Sequence, residues 1–277
     1  MKYTITPTNI RPLITMAVDI VYKQVPDWYG HGNRTLCFDI VRSLGDGPKP
    51  LVIWLGGGAW QEMNQHVYLP ELTYLAENGY TVASVEYRTS EKAKFPAQIE
   101  DVKAAIRYIR AHAKELCVDP EKIAIMGESA GGHLASLAGV AGEERQFDVG
   151  EYLNESSAVS CVVDWYGPVD FTRFGNGNPV SPESLLMGAT LENDPEKARA
   201  VSPVSYVSPK TPPFLILHGD SDHLVPVEQS RELYALLQEN DVDATLVELL
   251  GTDHGGPAFT TSEVKQIILD FLNSHLK

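Results

Sequence analysis

The chain has 277 residues, 43% of them hydrophobic and 21% charged, with a formal net charge of −15. That length and balance suit one α/β domain spanning residues 1–277, and no stretch reads as a linker. The negative charge argues against nucleic acid or an anionic membrane surface as a partner, and no apolar run approaches the roughly 18 residues of a membrane span.

The first residues carry Lys2, Pro7 and Pro12, with no continuous apolar stretch and no small-residue cleavage site, so no signal peptide is read. A cytoplasmic location is the default expectation, although a chain already freed of its leader would read the same. Residues before Gly32 either pack on the core or cover a site, and their pattern does not choose. Cys37, Cys117 and Cys161 are odd in number and widely spaced, which predicts reduced thiols in or near the core.

Downstream, short β-branched runs alternate with helical patterns, the signature of βαβ units and a mostly parallel, doubly wound sheet. Strands are predicted at 37–41 and 51–55, joined by the turn-rich Gly45-Asp46-Gly47-Pro48. A helix over about 67–78 is stopped by Gly79, and a strand follows at 81–87. From 97 to about 113, Ile99, Val102, Ile106 and Ile109 recur at helical spacing. The run 123–126 ends abruptly at Gly127-Glu128-Ser129-Ala130-Gly131 and passes into a small-residue helix. Further strands are predicted at 160–165, 214–217 and 244–249, with helices at 227–239 and 263–276. Between 171 and 213 the alternation lapses into Gly, Asn, Pro and Ser, which predicts a small cap inserted over a site.

Ser129 lies in a G-x-S-x-G turn between a buried strand and a helix, the context a nucleophile elbow requires. The helix N-terminus would then aim free N–H groups and its positive end at a developing oxyanion. A serine hydroxyl needs a base, and usually a carboxylate behind that base. His254 follows the last strand between glycines, in Gly251-Thr252-Asp253-His254-Gly255-Gly256, where an open α/β sheet carries its active groups. Asp220 and Asp222 both follow the 214–217 strand, and spacing alone leaves the two as rivals. His218 is expected to bond within its own loop and His133 to be a satisfied structural histidine, while His66 could line the active-site pocket. His218, Asp220, Asp222 and His223 match no known metal-ligand spacing, so no metal is expected. After strand 51–55, Gly56-Gly57-Gly58-Ala59-Trp60 offers backbone donors for an oxyanion, joined by the N–H of Ala130.

Several segments then fall into register with a known superfamily. Glu86-Tyr87-Arg88, Phe95-Pro96-Ala97, Glu100-Asp101, Asp119-Pro120 and Gly127-Glu128-Ser129-Ala130-Gly131-Gly132-His133-Leu134-Ala135 together resemble the esterase/lipase branch of the α/β-hydrolases from about Leu36 onward. That branch includes hormone-sensitive-lipase-like esterases, small carbohydrate and feruloyl esterases, and kynurenine formamidases. The resemblance implies an α/β-hydrolase fold and a cofactor-free Ser129–His254–Asp222 triad, since Asp222-His223-Leu224-Val225-Pro226 matches the D-x-x-V-P acid. It places oxyanion donors at Gly58, Ala59 and Ala130, with Trp60 and Glu128 as substrate contacts. The chain departs from the branch's H-G-G-G-W loop, with Gly56 for the histidine and Ala59 for the third glycine, so the loop loses one anchor. The implied activity is hydrolysis of short acyl esters, acetyl or aryl such as feruloyl, of carbohydrate or small alcohols. A formamidase or peptidase would use the same triad, and a non-catalytic binder on this fold is the reading of another class.

Overall fold

The protein's computed structural model describes residues 1–8, 10–27, 30–45, 47–175 and 177–277. Its strands are β1 (Ile14–Asp27), β2 (Gly32–Ser43), β3 (Lys49–Leu55), β4 (Thr81–Val85), β5 (Val118–Glu128), β6 (Cys161–Trp165), β7 (Phe214–Gly219) and β8 (Ala244–Leu249). The helices are α1 (Leu69–Glu77), α2 (Ala97–Ala111), α3 (Ala113–Leu116), α4 (Ala130–Val140), α5 (Pro182–Met187), α6 (Pro195–Val201), α7 (Glu228–Glu239) and α8 (Ser262–Leu276). Among the described residues one sheet runs β1-β2-β4-β3-β5-β6-β7-β8. β2 is antiparallel to both β1 and β4, and from β4 to β8 every pair is parallel. This is the α/β-hydrolase fold, with helices on both faces.

Because side chains alternate along a strand, β3 supplies both cores. Leu51, Ile53 and Leu55 join α2, α4 and α7 on one face. Val52 and Trp54 join α1 and α8 on the other. The central strands are therefore apolar at nearly every position, as expected of strands buried on both sides. α2 shows how the helices earn their place: Ile99, Val102, Ile106 and Ile109 are fully buried on one stripe.

Of the residues before Gly32, whose pattern does not choose a role, Ile14–Asp27 form the edge strand β1, paired with β2 from Ile14↔Ser43 to Asp27↔Gly32. Two register shifts, at Ala17/Ile20 and Val21/Lys23, and a positive φ of 56° at Asp19 break its alternation. The strand expected over 81–87 stops at Val85, freeing Tyr87 to leave the sheet. Asp46, in the turn expected at 45–48, lies outside the described residues.

Only part of the segment 171–213 stands over the site. Arg173 to Gly175 and Ser181 to Glu183 line the cavity described below. From α6 onward the chain packs on the core, burying Ala198 and Val201, and Ser202 Oγ ties the segment back by accepting from Phe171 N at 2.8 Å. No described helix is long and apolar enough to cross a membrane.

Candidate active site

β5 delivers Ser129 to the carboxyl edge of the sheet, where the chain turns sharply into α4. Ser129 takes φ 50° and ψ −119°, and its N–H is held by Trp165 O at 2.8 Å. The turn closes because Gly131 has no side chain: a Cβ there would lie 2.0 Å from Leu55 O. Ala59, Trp60, Ser129 and Tyr166 all have φ between 44° and 57°. Strain of this kind costs about 1–3 kcal/mol per residue and persists only where the surroundings enforce it.

The loops after β7 and β8 are locked together. A Cβ on Gly219 would meet Thr252 O at 2.2 Å, so only a bare backbone lets the loops touch. Gly251 N donates to Asp220 Oδ1 at 2.6 Å, Ser221 N to Thr252 O at 3.0 Å, and His223 N to Asp253 Oδ1 at 3.0 Å. These bonds bring Asp222 and His254 into line. His254 Nδ1 is 2.7 Å from Asp222 Oδ2, and its Nε2 is 2.9 Å from Ser129 Oγ. A carboxylate only accepts, so Nδ1 carries the proton and Nε2 accepts from the serine hydroxyl. Geometry thus separates the rivals: Asp222 faces the histidine, whereas Asp220 holds Gly251.

Asp222 is fully engaged. Oδ1 accepts from Leu224 N and Val225 N, both at 2.8 Å. Oδ2 accepts from His254 and also faces His218 Nε2 at 3.2 Å. Burial alone would raise its pKa, but the hydrogen bonds from His218, His254 and Val225 outweigh burial and hold it well below the usual carboxylate range. His218 is buried, with Nε2 also donating to Val225 O at 2.9 Å and Nδ1 accepting from Ser230 Oγ at 2.6 Å. Among the described residues no group of three or more His, Cys, Asp or Glu side chains could hold a metal ion.

Ser129, Ala130, His254, Ala59 and Trp60 line a cavity of about 580 Å³, together with Leu224, Val225 and Pro226, Arg173 to Gly175 and Ser181 to Glu183. As the first residue of α4, Ala130 has an N–H with no partner in its own helix. Gly58, expected as a third donor, does not line the cavity, and its carbonyl accepts from Gln61 N at 2.9 Å and Glu62 N at 3.0 Å, which fixes the turn. Glu128, expected to touch substrate, also lies outside the lining. Its carboxylate accepts from Tyr68 Oη at 2.7 Å, Tyr166 Oη at 2.6 Å and Gly57 N at 3.2 Å, so it braces the glycine loop from behind.

The loop with Gly56 in place of a histidine is not short of anchors. Tyr87 Oη donates to Gly56 O at 2.7 Å, Glu128 holds Gly57, and Ser90 N donates to Trp60 O at 2.7 Å. Trp60 Nε1 donates to His133 Nδ1 at 3.1 Å, and His133 Nε2 donates to Val201 O at 2.8 Å. None of these partners is near the loop in sequence. His66 stands apart, 2.5 Å from Asp39 Oδ2, in a groove beside β1 and α1. The Arg88 and Asp101 positions form a structural pair, with Nε to Oδ2 at 2.7 Å and Nη2 to Oδ1 at 2.9 Å.

Burial pushes the His133 pKa down to about 4 from 6.5, opposed by the bond to Val201. Between those pH values the unfolded chain binds the extra proton, so this group's stabilisation falls as pH drops from 6.5 toward 4. The loss is about 3 kcal/mol at pH 4. His133→Gln keeps an acceptor for Trp60 and a donor for Val201, and is expected to flatten that part of the stability profile. Thermal melts of both proteins from pH 4 to 7 check this; parallel profiles would contradict it.

The BD-FAE family profile matches residues 39–237. The chain belongs to the BD-FAE family. It is similar to the probable carboxylic ester hydrolase LipM of Mycobacterium tuberculosis, with 35% identity over 82% of this chain and 54% of LipM. The chain spans about half the length of the curated relatives it matches. Among solved structures, a truncated form of a carbohydrate esterase from gut microbiota superposes with a TM-score of 0.86 at 30% identity, covering 97% of this chain and 98% of that one. An acetyl ester-xyloside bifunctional hydrolase from Caldicellulosiruptor lactoaceticus gives 0.75 at 26% identity, over 92% and 97%. These homologues of the BD-FAE chain, which cover most of it, are carboxylic ester hydrolases.

Proposed function

We propose that this chain is a serine carboxylesterase that removes short acyl groups, foremost acetyl, from carbohydrate. The observation that carries the reading is the unbroken line from Ser129 Oγ through His254 to Asp222, opening on a cavity. Ser129 attacks the ester carbonyl while His254 Nε2 takes its proton. Asp222 keeps the imidazole in the tautomer that can accept it and stabilises the imidazolium. The N–H groups of Ala59 and Ala130, on the cavity wall, are the oxyanion donors, and each donor of this kind is worth roughly 10²–10³ in rate. His254 then protonates the leaving alcohol and activates water against the acyl-enzyme.

The carbohydrate assignment is supported by the names of the relatives: a carbohydrate esterase and an acetyl ester-xyloside hydrolase. A cap stretch that ends in the short helix α5 adds weight to a small acyl group over a long lipid. Hydrolysis of p-nitrophenyl esters from acetate to palmitate tests the acyl half, with C2–C4 expected to give the highest kcat/KM. A maximum at long chains would overturn it, and turnover of N-formylkynurenine above that of every ester would move the assignment to a formamidase.

A further inference from the structure

Arg173, Phe174 and Gly175, with Ser181, Pro182 and Glu183, line the cavity over Ser129, and Arg173 and Glu183 are the charged residues among them. Glu183 is only 8% exposed, yet its carboxylate makes no hydrogen bond or ion pair among the described residues. Its neighbour Ser181 is already occupied, donating to Ser184 Oγ at 3.1 Å. A carboxylate this enclosed, with no protein donor, takes its hydrogen bonds from water or a ligand. Here they come from whatever fills the cavity: water when it is empty, and a ligand's own O–H or N–H groups when that water is displaced.

The rest of the lining narrows the choice of ligand. The Arg173 guanidinium, held by Glu232 Oε1 at 2.8 Å, shares the wall with Glu183 and disfavours a cationic alcohol such as a choline. Lipid chains offer no donor to Glu183. A sugar ring offers hydroxyls that both donate and accept, with C–H faces that suit the apolar surfaces of Phe174 and Pro182. At about 580 Å³, the cavity is of a size that takes a whole small molecule rather than a two-carbon acyl group alone. Resting on the esterase reading above, we propose that Glu183 accepts hydrogen bonds from ring hydroxyls of the substrate's sugar and so selects carbohydrate esters over other acetates.

The test compares wild type and Glu183→Gln on a monoacetylated methyl β-xylopyranoside and on p-nitrophenyl acetate, whose alcohol has no hydroxyl to offer. The variant is expected to lose roughly 10- to 100-fold in kcat/KM on the sugar ester, mostly through KM. Its loss on p-nitrophenyl acetate should be at least about tenfold smaller. Equal losses on the two esters, or an unchanged sugar ester, overturn the proposal, as does a wild type that prefers acetylthiocholine to the sugar acetate. Should Glu183→Gln fail to fold, Glu183→Asp, which keeps the charge but withdraws it by one methylene, carries the same comparison. A wild type inactive on every ester would instead overturn the esterase reading itself.

Discussion

Ser129→Ala is expected to lower kcat on p-nitrophenyl acetate by roughly 10⁴- to 10⁶-fold while leaving the fold intact. The substitution removes one oxygen, whose hydrogen-bond partner among the described residues is His254 Nε2 at 2.9 Å. The elbow itself is held by backbone, through Ser129 N to Trp165 O and the contact of Gly131 with Leu55. Alanine occupies the same strained φ as serine, so the melting temperature should move by no more than about 2–4 °C. What activity remains would come from the donors at Ala59 and Ala130 acting on water attack. A loss below tenfold in steady-state assays would mean that another group is the nucleophile.

Asp222→Asn is expected to cost about 10⁴-fold in kcat, for a reason particular to its surroundings. Every group that touches the Asp222 carboxylate is a donor: two backbone N–H groups on Oδ1, and His254 and His218 on Oδ2. An amide cannot accept on both sides. The backbone N–H groups cannot change role, so they keep the amide oxygen and the NH₂ turns toward His254 Nδ1. That nitrogen must then accept, its proton moves to Nε2, and the base facing Ser129 is lost. Asp220→Asn is the control, because its bond to Gly251 N at 2.6 Å needs only an acceptor, which asparagine retains. It should change kcat by less than about threefold. Equal losses in the two variants would show that the loop, and not the tautomer, is what matters.

The parts legible in the sequence are those written in local patterns. The parallel strands from β3 to β8 are apolar runs between turn signals, and α2 carries its buried stripe at helical spacing. Ser129 and His254 were visible because glycines flank them directly after strands. Elsewhere the pattern fails for physical reasons. β1 hides its alternation behind two register shifts and a positive φ at Asp19. Spacing could not choose between Asp220 and Asp222, because the choice depends on how the β8 loop lies over Gly219. The glycine loop looked under-anchored at Gly56 because its anchors, Tyr87, Ser90, Glu128 and His133, are distant in sequence. Glu128 reads as a substrate contact for the same reason: only the fold shows Tyr68 and Tyr166 converging on it. Nothing in the local sequence marks Glu183, since an unpartnered carboxylate is a property of its surroundings.

In the proposed reaction Ser129 is the activated nucleophile. Intact-mass spectrometry after exposure to diethyl p-nitrophenyl phosphate tests it most directly, because the reagent phosphorylates a serine only where a base has activated it. Wild type should gain a single diethylphosphoryl group, mapped by peptide digestion to Ser129, while Ser129→Ala and Asp222→Asn gain little or none over the same time. An adduct on another residue, or an unmodified wild type, would contradict the assignment.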